Sequence, residues 1–327
     1  MASQRIGSAP LAAQLAGRRR AEAYAATLGA SLAARMTAPR AAVAGAEGFV
    51  GAALTRALSR AGVPVSSLTR RVPPASIEPP ATMFWLVSSV NPGIAERRPD
   101  LVAADRAAFA RMLDHQRSAP RPPVVVLTSS GGSLYDPAAA PPHAENAPLR
   151  PISVYGRIKR ALEEDLLAAD WVIPVILRIS NVYGPGQRIV PGFGVVAHGI
   201  RAALDGRPLR LYGDPRRDYL FIDDLVTAMT RIHEEVAMAH RTGRRPDLPA
   251  VLNIATGRPT SLSRLVEVLR RTTGRPLPAE RCEARPFDQP DVWLDAGLAG
   301  RALGWRPRTP LEWGVRKTWL AARGAAA

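Results

Sequence analysis

The sequence predicts an α/β fold: a doubly wound parallel sheet followed by a smaller C-terminal lobe. Three observations predict it. Continuous apolar runs recur from residue 41 onward, as strands buried on both faces require. Segments with helical spacing of apolar residues fall between those runs, the alternation of a parallel sheet. A glycine-rich turn, Gly45-Ala46-Glu47-Gly48-Phe49-Val50-Gly51, joins the first run to the first helix.

The elements follow in order. Residues 1–38 carry five arginines and one acid, Glu22. They read as an acid-poor targeting segment, a helical extension, or sequence upstream of a start at Met36, and they lie outside the fold argument. Ala41–Ala44 is a short apolar strand. Phe49–Arg60 is a helix, with Val50, Leu54 and Leu58 on one face and Gly62 as its stop. Val65–Leu68 is the second strand. Met83–Val87 and Val124–Leu127 are buried strands, with a helix over Leu101–Arg117 between them. A helix from Tyr155 to about Ala169 precedes a strand over Val172–Leu177. This places a dinucleotide-binding domain at 39–180 and a mainly substrate-binding lobe at 181–327. Only 14 residues, 69–82, separate the second strand from Met83, and Pro73, Pro74, Pro79 and Pro80 fill much of that gap. A helix and a further strand do not fit there, so the sheet is expected to lack its usual third, edge strand.

Composition bounds the function. The formal net charge is +16, which suits anionic partners. No basic run alternates with stacking aromatics, so a small anion such as a nucleotide diphosphate is expected rather than nucleic acid. No apolar run reaches the roughly 18 residues of a membrane span. Cys282 is the single cysteine, so a reducing, cytoplasmic setting is expected. The five histidines show no metal-ligand spacing, and no metal is expected.

Only two of the 44 cationic side chains are lysines, Lys159 and Lys317. Lys159 follows Tyr155 by four residues, which puts phenol and ammonium on one helix face. A close ammonium lowers a tyrosine pKa. An isolated YxxxK is more often a solvated helix face, so its neighbours decide. The glycine turn, with Gly45, Gly48 and Gly51, lets a pyrophosphate approach N–H groups at a helix N-terminus, beside Phe49 and Val50. Thr69-Arg70-Arg71 ends the second strand, where an acid normally meets the adenosine ribose. Two cations there lean towards NADP over NAD. Thr128-Ser129-Ser130-Gly131-Gly132-Ser133-Leu134-Tyr135 follows a strand's carboxyl end, where its hydroxyls reach a substrate oxygen beside Tyr155.

With Leu177–Gln187, Leu211–Asp214, Arg217–Leu225, Asn253–Gly257, Arg285–Asp288 and Leu303–Pro307, these motifs run in an order that resembles one family. The chain is similar to extended short-chain dehydrogenases/reductases of the NAD-dependent epimerase/dehydratase family, the branch that holds UDP-glucose 4-epimerases. The resemblance covers residues from about 40 to 320. It implies a Rossmann-type fold, NAD or NADP, a nucleotide-diphosphate sugar, and a homodimer through the Leu101–Arg117 and Tyr155–Ala169 helices. It implies Tyr155 as acid/base, and Lys159 on the nicotinamide ribose. Val87, Thr69 and Arg70 join the cofactor contacts. Asn181, Tyr212, Arg217, Arg285 and Asp288 fall on the substrate side.

Two departures matter. The family's catalytic Ser/Thr falls on Gly131, so Ser130 or Ser133 must substitute. Family 4,6-dehydratases carry Asp-Glu where this chain has Gly132 and Ser133, which disfavours dehydration. The aspartate that contacts adenine from the third strand has no counterpart. The leading expectation is a nucleotide-sugar 4-epimerase. An NADPH-dependent nucleotide 4-ketosugar reductase is the alternative, and a non-catalytic dinucleotide-binding protein a third.

Overall fold

The computed structural model of the protein describes residues 38–69, 71–190, 192–284 and 291–324. The chain begins with β1 (Ala41–Ala44), α1 (Phe49–Arg60), β2 (Val65–Leu68) and β3 (Thr82–Trp85). A single turn, α2 (Pro92–Ala95), leads into α3 (Pro99–His115). Then come β4 (Val124–Ser130), α4 (Val154–Leu167) and β5 (Ile173–Ile179). These strands are parallel, in the order β2-β1-β3-β4-β5, and β9 (Val251–Ile254) closes the sheet beyond β5. The order reverses at β1, the switch point at which open α/β sheets bind ligands.

Alternation along each strand builds a core on both faces. Val124 and Val126 of β4 pack with Val175 and Leu177 of β5 and with Leu54 and Leu58 of α1. Val125 and Leu127 point the other way, towards Phe109 and Met112 of α3 and Ile158, Leu162 and Leu166 of α4. β4 and β5 run to Ser130 and Ile179, beyond the apolar residues that mark them in sequence. Thr128, Ser129 and Ser130 are thus strand residues with fixed register, opposite Leu177, Arg178 and Ile179.

As expected, no strand among the described residues lies beyond β2, which forms the edge of the sheet. After β2, Thr69 and Val72 exchange backbone hydrogen bonds at 3.1 and 3.2 Å. A 3-10 turn over Pro74–Ser76 follows. His115 Nε2 holds the Ile77 carbonyl at 2.8 Å, which fastens this segment to the end of α3.

The smaller lobe is built from β6 (Asn181–Tyr183), α5 (Val195–Asp205), β7 (Leu209–Tyr212) and β8 (Arg216–Phe221). The chain then returns to the large sheet with α6 (Ile222–Thr242), which packs on α1, and with β9. It leaves again through β10 (Pro259–Ser261), α7 (Leu262–Thr273), β11 (Ala279–Cys282), α8 (Gly297–Leu303) and α9 (Leu311–Gly324). β6, β7 and β8 thus stand outside the large sheet, which the chain rejoins with α6 and β9. Two small sheets, β10-β8-β6 and β11-β7, organise the lobe.

One buried histidine ties α6 to the sheet. A ring nitrogen of His233, Nδ1, lies 2.9 Å from Thr82 Oγ1 at the start of β3. Burial, with His240 adding, pulls the ring down to about 4 from 6.5. The unfolded chain therefore takes up this proton first as the pH falls. The stability that His233 contributes is present above 6.5 and is lost as the pH falls through about 4. The loss is on the order of 3 kcal/mol. Thermal melting across this window is expected to show a shallower pH slope for His233→Gln than for the wild type; equal slopes would refute this assignment.

Candidate active site

The cofactor end is a backbone cradle. Gly45 leaves β1 with φ +86°, a left-handed conformation that costs glycine little. A Cβ on Gly51 would run into the Gly45 carbonyl, so α1 packs directly on the turn. Gly48 caps α1 without a side-chain hydrogen bond, and the first turn of α1 holds no acid. Helix N–H groups and the positive dipole end thus face the carboxyl edge of the sheet, chemistry that fits a dinucleotide pyrophosphate. Phe49 and Val50 lead from this turn into a cavity of about 720 Å³.

α4 forms one wall of that cavity. Its N-terminus is set by Ser153, whose Oγ accepts the Gly156 N–H at 3.0 Å. Glu96 Oε1 accepts the Val154 N–H at 2.8 Å. Tyr155 and Lys159 line the cavity one turn apart, with Lys159 Nζ 5.7 Å from the phenol ring centre. Nζ donates to the Thr128 carbonyl at 3.0 Å. Burial pulls the ammonium down to about 8, against the upward pull of Asp105 and Glu163.

The expected lowering of the tyrosine pKa by this lysine is not what the structure shows. Burial pushes the Tyr155 phenol up to about 12. Lys159 is engaged by the Thr128 carbonyl, and desolvation of the phenol wins. At neutral pH Tyr155 carries its proton and Lys159 its charge.

Glu163, one turn beyond Lys159, makes a buried ion pair with Arg178 of β5 at 2.8 Å. Arg178 also donates to the Tyr135 hydroxyl at 3.3 Å and to the Glu145 carbonyl at 2.9 Å. Tyr135 in turn donates to Asn253 Oδ1 at 2.6 Å. This network anchors α4 and the hydroxyl segment to the same two strands, β5 and β9.

Thr128, Ser129, Ser130, Gly132 and Ser133 line the cavity opposite Tyr155. Gly131 is turned away: its N–H bonds the Ile179 carbonyl at 2.9 Å, and a Cβ there would strike Leu294. Beyond the hydroxyls the wall passes to the smaller lobe. Asn181 stands in register with Tyr219 on neighbouring strands, and Arg217 shares the Tyr219 face of β8. Both line the cavity, with Tyr212, Arg210 and Arg207 further out. On the opposite face of β8, buried Asp218 accepts from Ser180 Oγ, Thr256 N, Thr256 Oγ1 and Gly257 N. Burial raises this carboxyl, opposed by those donors.

A family model described as the NAD dependent epimerase/dehydratase family matches residues 89–255, a little over half of the chain. The chain belongs to the NAD-dependent epimerase/dehydratase family. Among its relatives, a UDP-glucose 4-epimerase of Mycolicibacterium smegmatis is 34% identical over 204 residues, 59% of this chain. That match spans only 60% of the relative's length. A dTDP-6-deoxy-L-talose 4-dehydrogenase (NAD(P)(+)) of Kitasatospora kifunensis is 29% identical over 325 residues, 88% of this chain and 98% of the relative. The structure of MoeE5 in complex with UDP-glucose and NAD superposes with a TM-score of 0.75 at 28% identity, covering 88% of this chain and 100% of that one. The family thus holds NAD-dependent nucleotide-sugar enzymes, epimerases and dehydrogenases among them.

Within this family frame, the cavity brings together Phe49, Val50, Ser130, Ser133, Tyr155, Lys159, Asn181, Tyr212 and Arg217. Gly45, Gly48 and Gly51 form the turn at its edge. Val87 lies just past β3, and Thr69 sits in the turn after β2. Arg70, Arg285 and Asp288 fall outside the described residues. Sequence reading missed Ser88 and Tyr219, which also line the cavity, as does Ser129 of the hydroxyl segment. Tyr219 was legible through its strand: it is two residues from Arg217, hence on the same face. Asp105 was also missed; it carries no motif of its own.

The buried pair yields a stability prediction. Glu163→Ala leaves Arg178 charged and unpaired, and is expected to cost about 3–5 kcal/mol in chemical denaturation. A Glu163→Met, Arg178→Met double variant is expected to lose less than Glu163→Ala alone. A larger loss in the double would contradict this account.

Proposed function

We propose that the protein is an NAD(P)-dependent nucleotide-sugar 4-epimerase that works through a 4-keto intermediate. One observation carries this reading: Tyr155 and Lys159 line a single cavity together with Ser130, Ser133, Tyr212 and Arg217. A bound NAD(P) would supply the hydride chemistry at C4 of the sugar. Tyr155, whose phenol burial holds in the protonated form, would first release that proton to solvent, then take the 4-hydroxyl proton as C4 is oxidised and give it back when the turned 4-keto sugar is reduced on its other face. Ser130 or Ser133 holds the sugar oxygen beside the phenol. Lys159 binds the nicotinamide ribose and offers positive charge to the oxygen that loses its proton. Gly45, Gly48 and Gly51 seat the pyrophosphate. Arg217 and Arg285 would hold the diphosphate, whose oxygens suit guanidinium forks, with Tyr212 beside the nucleotide base and Asn181 and Asp288 on the substrate side. Elimination is not favoured. Asp205 is the one carboxylate among the described cavity-lining residues, and Arg201 bonds it at 3.3 Å.

A second reading is an NADPH-dependent nucleotide 4-ketosugar reductase. Two observations favour it. The high phenol pKa makes Tyr155 a proton donor at neutral pH, the role ketone reduction needs. The relative matched over 98% of its length is named as a 4-dehydrogenase using NAD(P)+.

Mass spectrometry of the cofactor released from denatured protein, paired with turnover of UDP- and dTDP-sugars, separates the two. Retained NAD and epimerisation without net change in nicotinamide support the first; stoichiometric NADPH consumption supports the second. Tyr155→Phe is expected to lower kcat by about 10²–10⁴. Undiminished turnover in that variant would remove both readings.

We further propose a homodimer through α3 and α4. The groove between them is lined by Val102, Ala103, Ala107, Ala110, Ile158 and Trp171, an apolar strip able to pack with its own copy. Sedimentation is expected to give a dimer for the wild type and a monomer for Ala107→Arg. A wild-type monomer at micromolar concentration would overturn this.

A further inference from the structure

Among the described residues, six buried side-chain polar atoms lack a hydrogen-bond partner. Three of them, Ser129 Oγ, Gln187 Oε1 and the Tyr219 hydroxyl, belong to residues that line the cavity. A buried polar atom left unpaired carries its full desolvation penalty. A fold that keeps such atoms in a binding cavity holds them for a ligand or a water. Tyr219 is 6% exposed, and its place on β8 makes it the most rigidly held of the three.

β8 is the central strand of its sheet, between β10 and β6. The residue before Tyr219, Asp218, accepts four hydrogen bonds on the opposite face. The residues after it, Leu220 and Phe221, are buried. The phenol is therefore held in place by the strand that carries it. It shares a face of β8 with Arg217, two residues away, and Asn181 is its register partner on β6. All three side chains line the cavity. Burial pushes the phenol up, and the Arg217 charge pulls the other way, which agrees with a hydroxyl near that guanidinium. Tyr219 is thus a neutral donor beside a cation, a combination that suits an anionic oxygen.

Strand register points to one oxygen. Asn181 lies two residues beyond Ile179, and Ile179 is the register partner of Ser130. Tyr219, beside Asn181, therefore adjoins the hydroxyl segment, whereas Tyr212 belongs to the other small sheet, β11-β7. Resting on the nucleotide-sugar reading above, we propose that Tyr219 is a substrate-positioning residue whose hydroxyl donates to an oxygen of the phosphoryl group next to the sugar. That phosphoryl group stays in place while a 4-keto sugar turns. The contact thus serves both half-reactions and acts as the pivot between them.

Calorimetric binding to the full-length wild type and Tyr219→Phe tests this, with UDP, dTDP, CDP and GDP as probes, each beside its monophosphate. The variant is expected to bind the diphosphate that the wild type prefers about ten- to a hundredfold more weakly, the range for a hydrogen bond to a charged group. The matching monophosphate lacks the phosphoryl group in question, so its affinity should not change. In turnover KM should rise with kcat little changed, since the contact is present in ground state and transition state alike. Equal diphosphate affinity in wild type and variant would overturn the proposal, and so would an equal loss for monophosphate and diphosphate. Should the variant fail to fold, the wild type labelled with 13Cζ-tyrosine still decides. Of its six tyrosine signals, one must move with the diphosphate and stay with the monophosphate, and the lack of such a signal would overturn the contact. A wild type that binds none of these diphosphates would sink the nucleotide-sugar reading together with the contact. Diphosphate binding weakened by Tyr219→Phe, in a protein that turns over no nucleotide sugar, would sink the proposed reaction and leave the contact standing.

Discussion

The ion pair between Glu163 and Arg178 is the contact on which the rest of the site depends. Two charges taken out of water are tolerated only when nearly all their hydrogen-bonding capacity is used. Arg178 meets this condition through Glu163, Tyr135 and the Glu145 carbonyl. Those partners are the parts that must be aligned. Glu163 lies on the helix of Tyr155 and Lys159, Tyr135 ends the hydroxyl segment, and Arg178 belongs to the strand that delivers Asn181. A shift of α4 along the sheet would separate the pair, so the position of the phenol is held by a penalty acting two helical turns away.

Packing alone would not fix α4 this way. Ile158, Leu162 and Leu166 bury against the sheet, but apolar contact is nondirectional and tolerates small slides. The polar network adds direction. Buried Asp105 of α3 adds direction elsewhere, accepting the Ser89 N–H of the loop after β3 at 2.7 Å.

Much of this was legible in the sequence because it rests on local spacing. The glycine turn, the four-residue step from Tyr155 to Lys159 and the proline-filled gap after Leu68 each encode geometry within a short stretch. The lost third strand follows from counting residues. What stayed hidden depends on residues distant in the chain. Tyr135 is 118 positions before Asn253 and gains its partner only when β4, β5 and β9 lie side by side. The state of Tyr155 was misjudged for the same reason: proximity to an ammonium reads from the sequence, whereas desolvation reads only from the enclosed cavity. The return of α6 and β9 to the large sheet was also hidden, since an apolar run does not say which sheet it joins.

That return has a mechanical consequence. The chain passes between lobes just after β5 and again just after β9, and the two passages lie together, with Ser180 N bonded to the Ile254 carbonyl at 3.1 Å. Asp218, reaching across from β8, grips Ser180 at one passage and Thr256 and Gly257 at the other. A lobe tethered by one strand can swing; this lobe is also joined where β8 runs into α6, and a single carboxylate rivets the two passages after β5 and β9, so it resists rotation about either. Motion that admits a substrate must then come from the rim of the cavity rather than from the lobes parting like a clamshell.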